Sequence, residues 1–371
     1  MSAAPLFLLA ALATSLGLVN LFGTSTGSGG ILTDNFTTQL LAGAGGIAAF
    51  IVGSSLSPAR LRAMARPAWL IAIATMLVGI IAMTLGQTWA TALPLPALAA
   101  IAVPMVLANE AARPNPIRGP LDWMRIAVAT ALPAILLTVW GAPGAAMLVL
   151  ATAITVLWTA GVSRSFVVLW ALMAAVTVPL GIAALSPAHR SLASGFLTPA
   201  ATPSGDGYST LQSLYAVGSG GWLGNGWGAG TQGRLGFLHG HDSSFAVAHM
   251  AEEWGAIGTL FAMTILFGIV LAGLQVAERC RDRFSSLLAL ALVVWFGLQC
   301  AAHVGGALGL LPPLGLSLPF FSSGAISLLS AWMCLGMLAS LRRRPSAGLA
   351  PGAVAYGPNE SVPSLAAILA R

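Results

Sequence analysis

The sequence contains no lysine, and only 7% of its 371 residues are charged. A soluble chain of this size carries about 25% charged residues, so an ordinary soluble domain is excluded. With 57% hydrophobic residues, the chain reads as an integral membrane protein. Its sixteen basic residues are all arginines, scattered rather than gathered into the basic stripe of a nucleic-acid binder. Cysteine is scarce as well. Cys280, Cys300 and Cys334 form no CxxC, which argues against a disulfide framework and a thiolate metal site and leaves them as small core residues.

What is abundant is apolar sequence in runs long enough to cross about 30 Å of hydrocarbon, which takes about 20 residues as a helix. Ten candidate spans follow: 5–22, 39–52, 68–85, 95–108, 125–140, 144–161, 166–185, 244–274, 286–308 and 319–341. The first lacks the basic flank of a signal peptide and is expected to be retained as a helix. With the N-terminus in the cytoplasm, fourteen of the sixteen arginines fall in cytoplasmic segments, leaving only Arg190 and Arg234 outside. That asymmetry supports ten spans with both termini inside. The expected fold is an all-α polytopic membrane domain over 1–344, followed by a cytoplasmic tail, 345–371, rich in Pro, Gly, Ala and Ser and expected to be disordered.

One external segment, 186–243 between the seventh and eighth spans, is far longer than a compact fold needs, and long loops tend to carry function. Its centre, GSGGWLGNGWGAG, holds seven glycines between Gly218 and Gly230. No strand–loop–helix context supports a phosphate-cradling loop. Close backbone packing or ligand binding and a plain flexible hairpin both remain open. Directly after it, RLGFLHGHDSSFAVAHMAEEWG concentrates three of the five histidines and three of the ten acids.

Three stretches carry a family resemblance: GYSTLQSLYAVGSGGWLGNGWGAGTQGRLGFL (207–238), AEEWGAIG (251–258) and LGLLPPLGLSLPFFSSGAISLLS (308–330). In order and spacing they resemble the SEDS family of shape, elongation, division and sporulation proteins, which includes FtsW, RodA and SpoVE. The resemblance implies a membrane glycosyltransferase that polymerises lipid II, or a related undecaprenyl-diphosphate-linked glycan, at the outer face of the bacterial cytoplasmic membrane. It implies no cofactor, and a class B penicillin-binding protein as transpeptidase partner. Alternatives from other classes are a non-catalytic scaffold that binds lipid-linked substrate and a transpeptidase, and a lipid II flippase.

Glycan polymerisation needs a base for the acceptor hydroxyl and polar groups for the leaving diphosphate. The family's base is an aspartate immediately before the phenylalanine that opens the eighth helix, a position held here by Ser244. A serine is no base unless another group activates it. Asp242 lies two residues upstream, a displacement of ~7 Å or less, and can take over the role, with His241 and His239 as alternative bases or orienting groups. Two other readings of HGHDSS stand beside this: a helix cap by Asp242, Ser243 or Ser244, or a divalent-cation site on His239, His241 and Asp242.

Glu252 and Glu253 match the family's acidic pair and are expected to face the interior, lining a substrate cavity, pairing with a buried base or anchoring the fold. His249, four residues before Glu253, can satisfy it. The resemblance also nominates Gln232, Ser244 and Trp89 as substrate contacts. Arg234 is the candidate diphosphate contact, or else a snorkelling arginine. Three family positions are empty of charge: Ala97, Ala100 and Ala142. Asp122 and Arg125 are expected to form an ion pair at a helix start. His303 either lines the cavity or bonds within its helix.

Overall fold

The computed structural model describes residues 4–26, 34–88, 93–113, 120–162, 168, 170–172, 195–196, 199–205 and 207–342. Among these the secondary structure is helical, with no strand. Lipid offers the backbone no hydrogen-bond partners, so apolar spans must bond internally as helices. In chain order they are α1 (Ala4–Thr26), α2 (Asp34–Ser55), α3 (Pro58–Thr84), α4 (Leu95–Ala111), α5 (Pro120–Trp140), α6 (Pro143–Thr159), α7 (Tyr208–Gly220), α8 (Thr231–Arg234), α9 (Ala246–Arg279), α10 (Arg283–Ala307) and α11 (Ala325–Leu341). The first to sixth and eighth to tenth expected spans are thus helices. The seventh, 166–185, lies almost wholly outside the described residues, as do the tail 345–371, Arg190 and Trp89.

Local chemistry sets several helix starts. Ser57 caps α3 by accepting the Arg60 amide at 3.3 Å, with Pro58 at the first helical position. Asp282 caps α10 through the Ser285 amide at 2.9 Å. Asp122 and Arg125 form the expected pair at the start of α5, 3.0 Å apart. Glu110 at the end of α4 holds Arg66 at 3.1 Å and Arg113 at 2.8 Å.

Small residues let the helices approach closely, as helices in lipid require. α2 packs along α11, where a β-carbon on Gly336 would lie 2.4 Å from the Phe50 carbonyl oxygen and one on Gly46 would lie 2.3 Å from the Trp332 ring. α1 crosses the turn before α11 with Gly17 against the Phe320 carbonyl. Phe7, Phe50, Phe320 and Trp332 fill the space between them as an aromatic cluster of edge-on and tilted rings.

The described part of segment 186–243 is not a bare loop. It contains α7 and α8, and its glycine-rich part wraps the beginning of α9. The cause is a break inside α9: Gly255 has φ 68° and ψ −174°, a conformation open essentially to glycine alone. A break in a helix orphans carbonyls before it and amides after it. The wrapping loop supplies the missing partners. Asn225 and Gly226 donate to the Glu252 and Glu253 carbonyls at 2.9 and 3.1 Å, while Ala256 and Ile257 donate to the Gly221 and Trp222 carbonyls at 2.9 and 3.2 Å. Beyond the break, residues 256–279 make about 36 Å of helix, enough to span the membrane without the part of α9 before it. Glu252 and Glu253 therefore sit ahead of the spanning half, under the loop, rather than in open hydrocarbon.

Candidate functional site

Two layers of polar residues meet where the glycine-rich loop, α8 and the start of α9 converge. In the inner layer Glu252 is fully buried. Its Oε1 accepts the Thr231 amide at 2.6 Å, the Gln232 amide at 2.9 Å and the Thr231 hydroxyl at 3.1 Å. A carboxylate at a helix N-terminus is favoured by the exposed amides, and here it fixes α8. Glu253, beside it, is also buried. Among the described residues no arginine pairs with either carboxylate; Glu252 is held by backbone amides, and the buried base beside Glu253 is His249.

His249 lies 3.5 Å from Glu253 Oε1. The expected pair is therefore a contact, but neither nitrogen of His249 makes a hydrogen bond, and Oε2 of Glu252, Oε2 of Glu253 and Oε1 of Gln232 are also buried without one. Glycines make this density possible. A β-carbon on Gly230 would sit 3.0 Å from Glu252 Oε2, and one on Gly23 would sit 2.9 Å from both Glu253 Oε2 and the Trp227 indole nitrogen. That indole donates to the Val19 carbonyl at 3.0 Å and stacks on Phe22, fastening the loop to α1.

The outer layer is the HGHDSS turn. Asp242 is half-buried, and its Oδ2 accepts from the Asn35 amide group at 2.9 Å. Its carbonyl accepts the Ser323 amide at 2.6 Å, and the neighbouring Ser243 carbonyl accepts the Ser322 hydroxyl at 2.7 Å. Gln39 on α2 closes the arrangement, donating to the Ser322 carbonyl at 3.1 Å and accepting the Gly324 amide at 3.0 Å. The LPFFSSG turn thus clamps the Asp242 backbone. Phe320 within it has φ 70°, a costly conformation for a bulky residue.

These partners decide between the readings of HGHDSS. The helix-cap expectation is corrected: the cap position is Phe245, without a side-chain cap bond, because the Asp242 carboxylate is taken by Asn35. The divalent-cation expectation also fails on geometry. Among the described residues no group of three or more His, Cys, Asp or Glu is arranged to hold a metal. His241 turns its Nδ1 to the Leu238 carbonyl at 3.2 Å and its ring to His249, with centroids 5.4 Å apart. His239 is exposed against the Tyr208 ring.

The remaining expected residues fall as follows. Arg234 is exposed in α8, Gln232 lies two residues before it, and Ser244 is half-buried two residues after Asp242. Ala100 is buried, with its carbonyl 3.9 Å from the Cys334 sulfur, so the charge expected there is replaced by helix packing against α11. Ala142 precedes α6 as its cap residue. His303 neither bonds within its helix nor stands free: its Nδ1 is 2.7 Å from the Leu316 carbonyl. Sequence reasoning missed Asn35, Thr231, Gln39 and Ser322. The only signal for Asn35 was a polar pair, Asp34 and Asn35, opening an apolar helix.

Residues 3–346 match the family described as the FtsW, RodA and SpoVE cell cycle proteins. A 155-residue stretch is 41% identical to a probable peptidoglycan glycosyltransferase FtsW of Synechocystis sp., covering 42% of this chain and 39% of that one. The protein of the same name in Coxiella burnetii is 38% identical over 200 residues, 53% of each chain. The chain thus spans about half the length, or less, of these curated relatives. In fold, it superposes on a chain of the structure "Structural coordination of polymerization and crosslinking by a peptidoglycan synthase complex" with TM-score 0.71 at 23% identity, over 91% of this chain and 96% of that one. It also superposes on the rod shape determining protein RodA of Thermus thermophilus with TM-score 0.64 at 21% identity, over 92% and 97%.

Proposed function

The chain belongs to the FtsW, RodA and SpoVE family of cell cycle proteins, and from that premise we propose that it is a membrane glycosyltransferase of cell-wall synthesis. In this reading it polymerises lipid II or a related undecaprenyl-diphosphate-linked glycan at the outer face of the bacterial inner membrane, with both termini in the cytoplasm and a class B penicillin-binding protein as partner. Asp242 is the base. It takes the proton of the acceptor hydroxyl as that oxygen forms the new bond to the sugar. The bond from sugar to diphosphate breaks, and the diphosphate leaves with the electron pair. Arg234 and Gln232 on α8 would meet the leaving group, and His241 would assist or replace Asp242.

The observation that carries the proposal is the hold on Asp242: a half-buried carboxylate oriented through one oxygen by Asn35, on a backbone clamped by the LPFFSSG turn. Orientation of this kind is what a base two residues from the family position requires. The test is glycan polymerisation by the purified chain in liposomes with lipid II, alone and with a transpeptidase partner. Wild type is expected to make polymer and Asp242→Ala is not. Equal activity in the two removes Asp242 from the mechanism.

One observation favours a second reading, a non-catalytic scaffold that binds lipid-linked substrate. Ser244, Ala97 and Ala100 lack the charges the family keeps, while Glu252 is engaged with backbone amides and Glu253 with His249. Absence of polymer with several lipid-linked donors, together with retained binding of them, would favour that reading.

A further inference from the structure

The glycine-rich loop carries a feature that the chemistry above does not use. Between Gly221 at φ 55° and Gly224 at φ 79°, the chain projects Trp222 and Leu223 outward, 73% and 82% exposed. Lone exposed apolar residues are ordinary, but this pair is not isolated. Its backbone is tied to the first turn beyond the α9 break, through Ala256 and Ile257. From that turn Ile257, Leu260, Phe261 and Phe267 run down α9 as a continuous exposed apolar stripe, on a helix long and apolar enough to cross a membrane. With the exposed Thr264 between Phe261 and Phe267, successive steps of three or four residues keep the stripe on one helix face, the face such a span turns to lipid.

We infer that Trp222 and Leu223 form a hydrophobic tip seated in the bilayer at the head of this stripe, with the indole at the headgroup boundary and Leu223 among the acyl chains. Tryptophan collects at that boundary because its ring is apolar while its N–H stays near water. The leaflet is the one on the side of Asp242, which is the outer leaflet in the topology proposed above; only that assignment rests on the proposed function. The tip fixes the height of the loop. Through the Gly221 to Gly230 backbone it sets α8, with Arg234, at headgroup level, where a diphosphate-linked lipid carries its charge.

The test reconstitutes the full chain in phosphatidylglycerol and phosphatidylethanolamine vesicles and compares wild type with Trp222→Phe. The emission component lost in the variant is expected to be quenched by lipids brominated near the headgroup end of the acyl chain and spared by aqueous iodide. Strong iodide quenching with no effect of bromolipid overturns the inference. Independently, a nitroxide on Leu223→Cys, in a background with Cys280, Cys300 and Cys334 replaced by alanine, is expected to collide with oxygen more than with a water-soluble nickel complex. The reverse ratio also overturns it. These readouts report depth, not activity, so a seated tip in a chain without polymerase activity rejects the enzyme reading alone, and an active chain with a wet tip rejects this inference alone.

Discussion

Gly255 and Gly224 meet backbone to backbone: a β-carbon on Gly255 would lie 2.3 Å from the Gly224 amide nitrogen, and one on Gly224 would lie 2.1 Å from the Glu253 carbonyl oxygen. This contact places the start of the membrane-spanning half of α9 and the loop over the site in one register.

Gly255→Ala is expected to cost about 3 kcal/mol or more, from the forced positive φ together with the clash. The check is thermal unfolding in detergent. A melting temperature equal to that of wild type would show that the loop does not pack on the break as described.

Glu252→Ala removes the acceptor of three donors, two of them backbone amides, and is expected to destabilise by about 3 kcal/mol. Glu252→Gln keeps an oxygen acceptor and should recover part of that loss. Limited proteolysis between Gly221 and Arg234 reads the effect directly, since α8 loses its anchor. Unchanged cleavage in both variants would contradict an anchoring role.

Asp242→Ala is expected to lower polymerisation at least about a hundredfold, within the range of general-base catalysis. Asn35 holds that carboxylate by one hydrogen bond, and as a positioning group its replacement, Asn35→Ala, should lower kcat about tenfold with little change in KM. A rise in KM with kcat preserved would instead make Asn35 a substrate contact.

Ser244→Asp in the Asp242→Ala background restores an acid at the family position on the same clamped turn. It is expected to recover measurable polymer, because two residues of chain displace a carboxylate by only ~7 Å or less. No recovery, with wild type active, would tie the reaction to the Asn35-oriented carboxylate alone.

Gly336→Ala should destabilise the fold more than Gly46→Ala, although both β-carbons would clash. Gly336 faces the Phe50 backbone, which can yield only by moving α2, whereas Gly46 faces a side chain, the Trp332 ring. Melting temperatures of the two variants in one detergent give the order, and the reverse order would mean that the Trp332 ring is the more rigid neighbour.

The helices, their apolar faces and the Asp122–Arg125 pair were legible in the sequence because each depends on residues within a few positions of one another. The family was legible from motifs in order along the chain. The polar cluster between Arg234 and Gly255 was legible as a cluster, but its internal roles were not. Nothing within HGHDSS says that Asn35, more than two hundred residues away, takes the Asp242 carboxylate, or that Ser322 and Ser323 clamp its backbone. For the glycines of the loop, close backbone packing was one of the open readings, and the contacts of Gly220 and Gly224 with the Ala251 and Glu253 carbonyls bear it out.

The sequence by itself determined a helical membrane protein of this family, since apolar length and the need to satisfy the backbone in lipid allow few other outcomes. Only the tertiary structure decided what the charged residues do. Glu252 reads equally as cavity lining, ion-pair partner or anchor until the Thr231 and Gln232 amides meet its carboxylate. Asp242 reads as a helix cap until Asn35 takes its carboxylate. A buried polar group must find a partner, and which partner it finds is settled by the helices that pack beside it rather than by its neighbours in the chain.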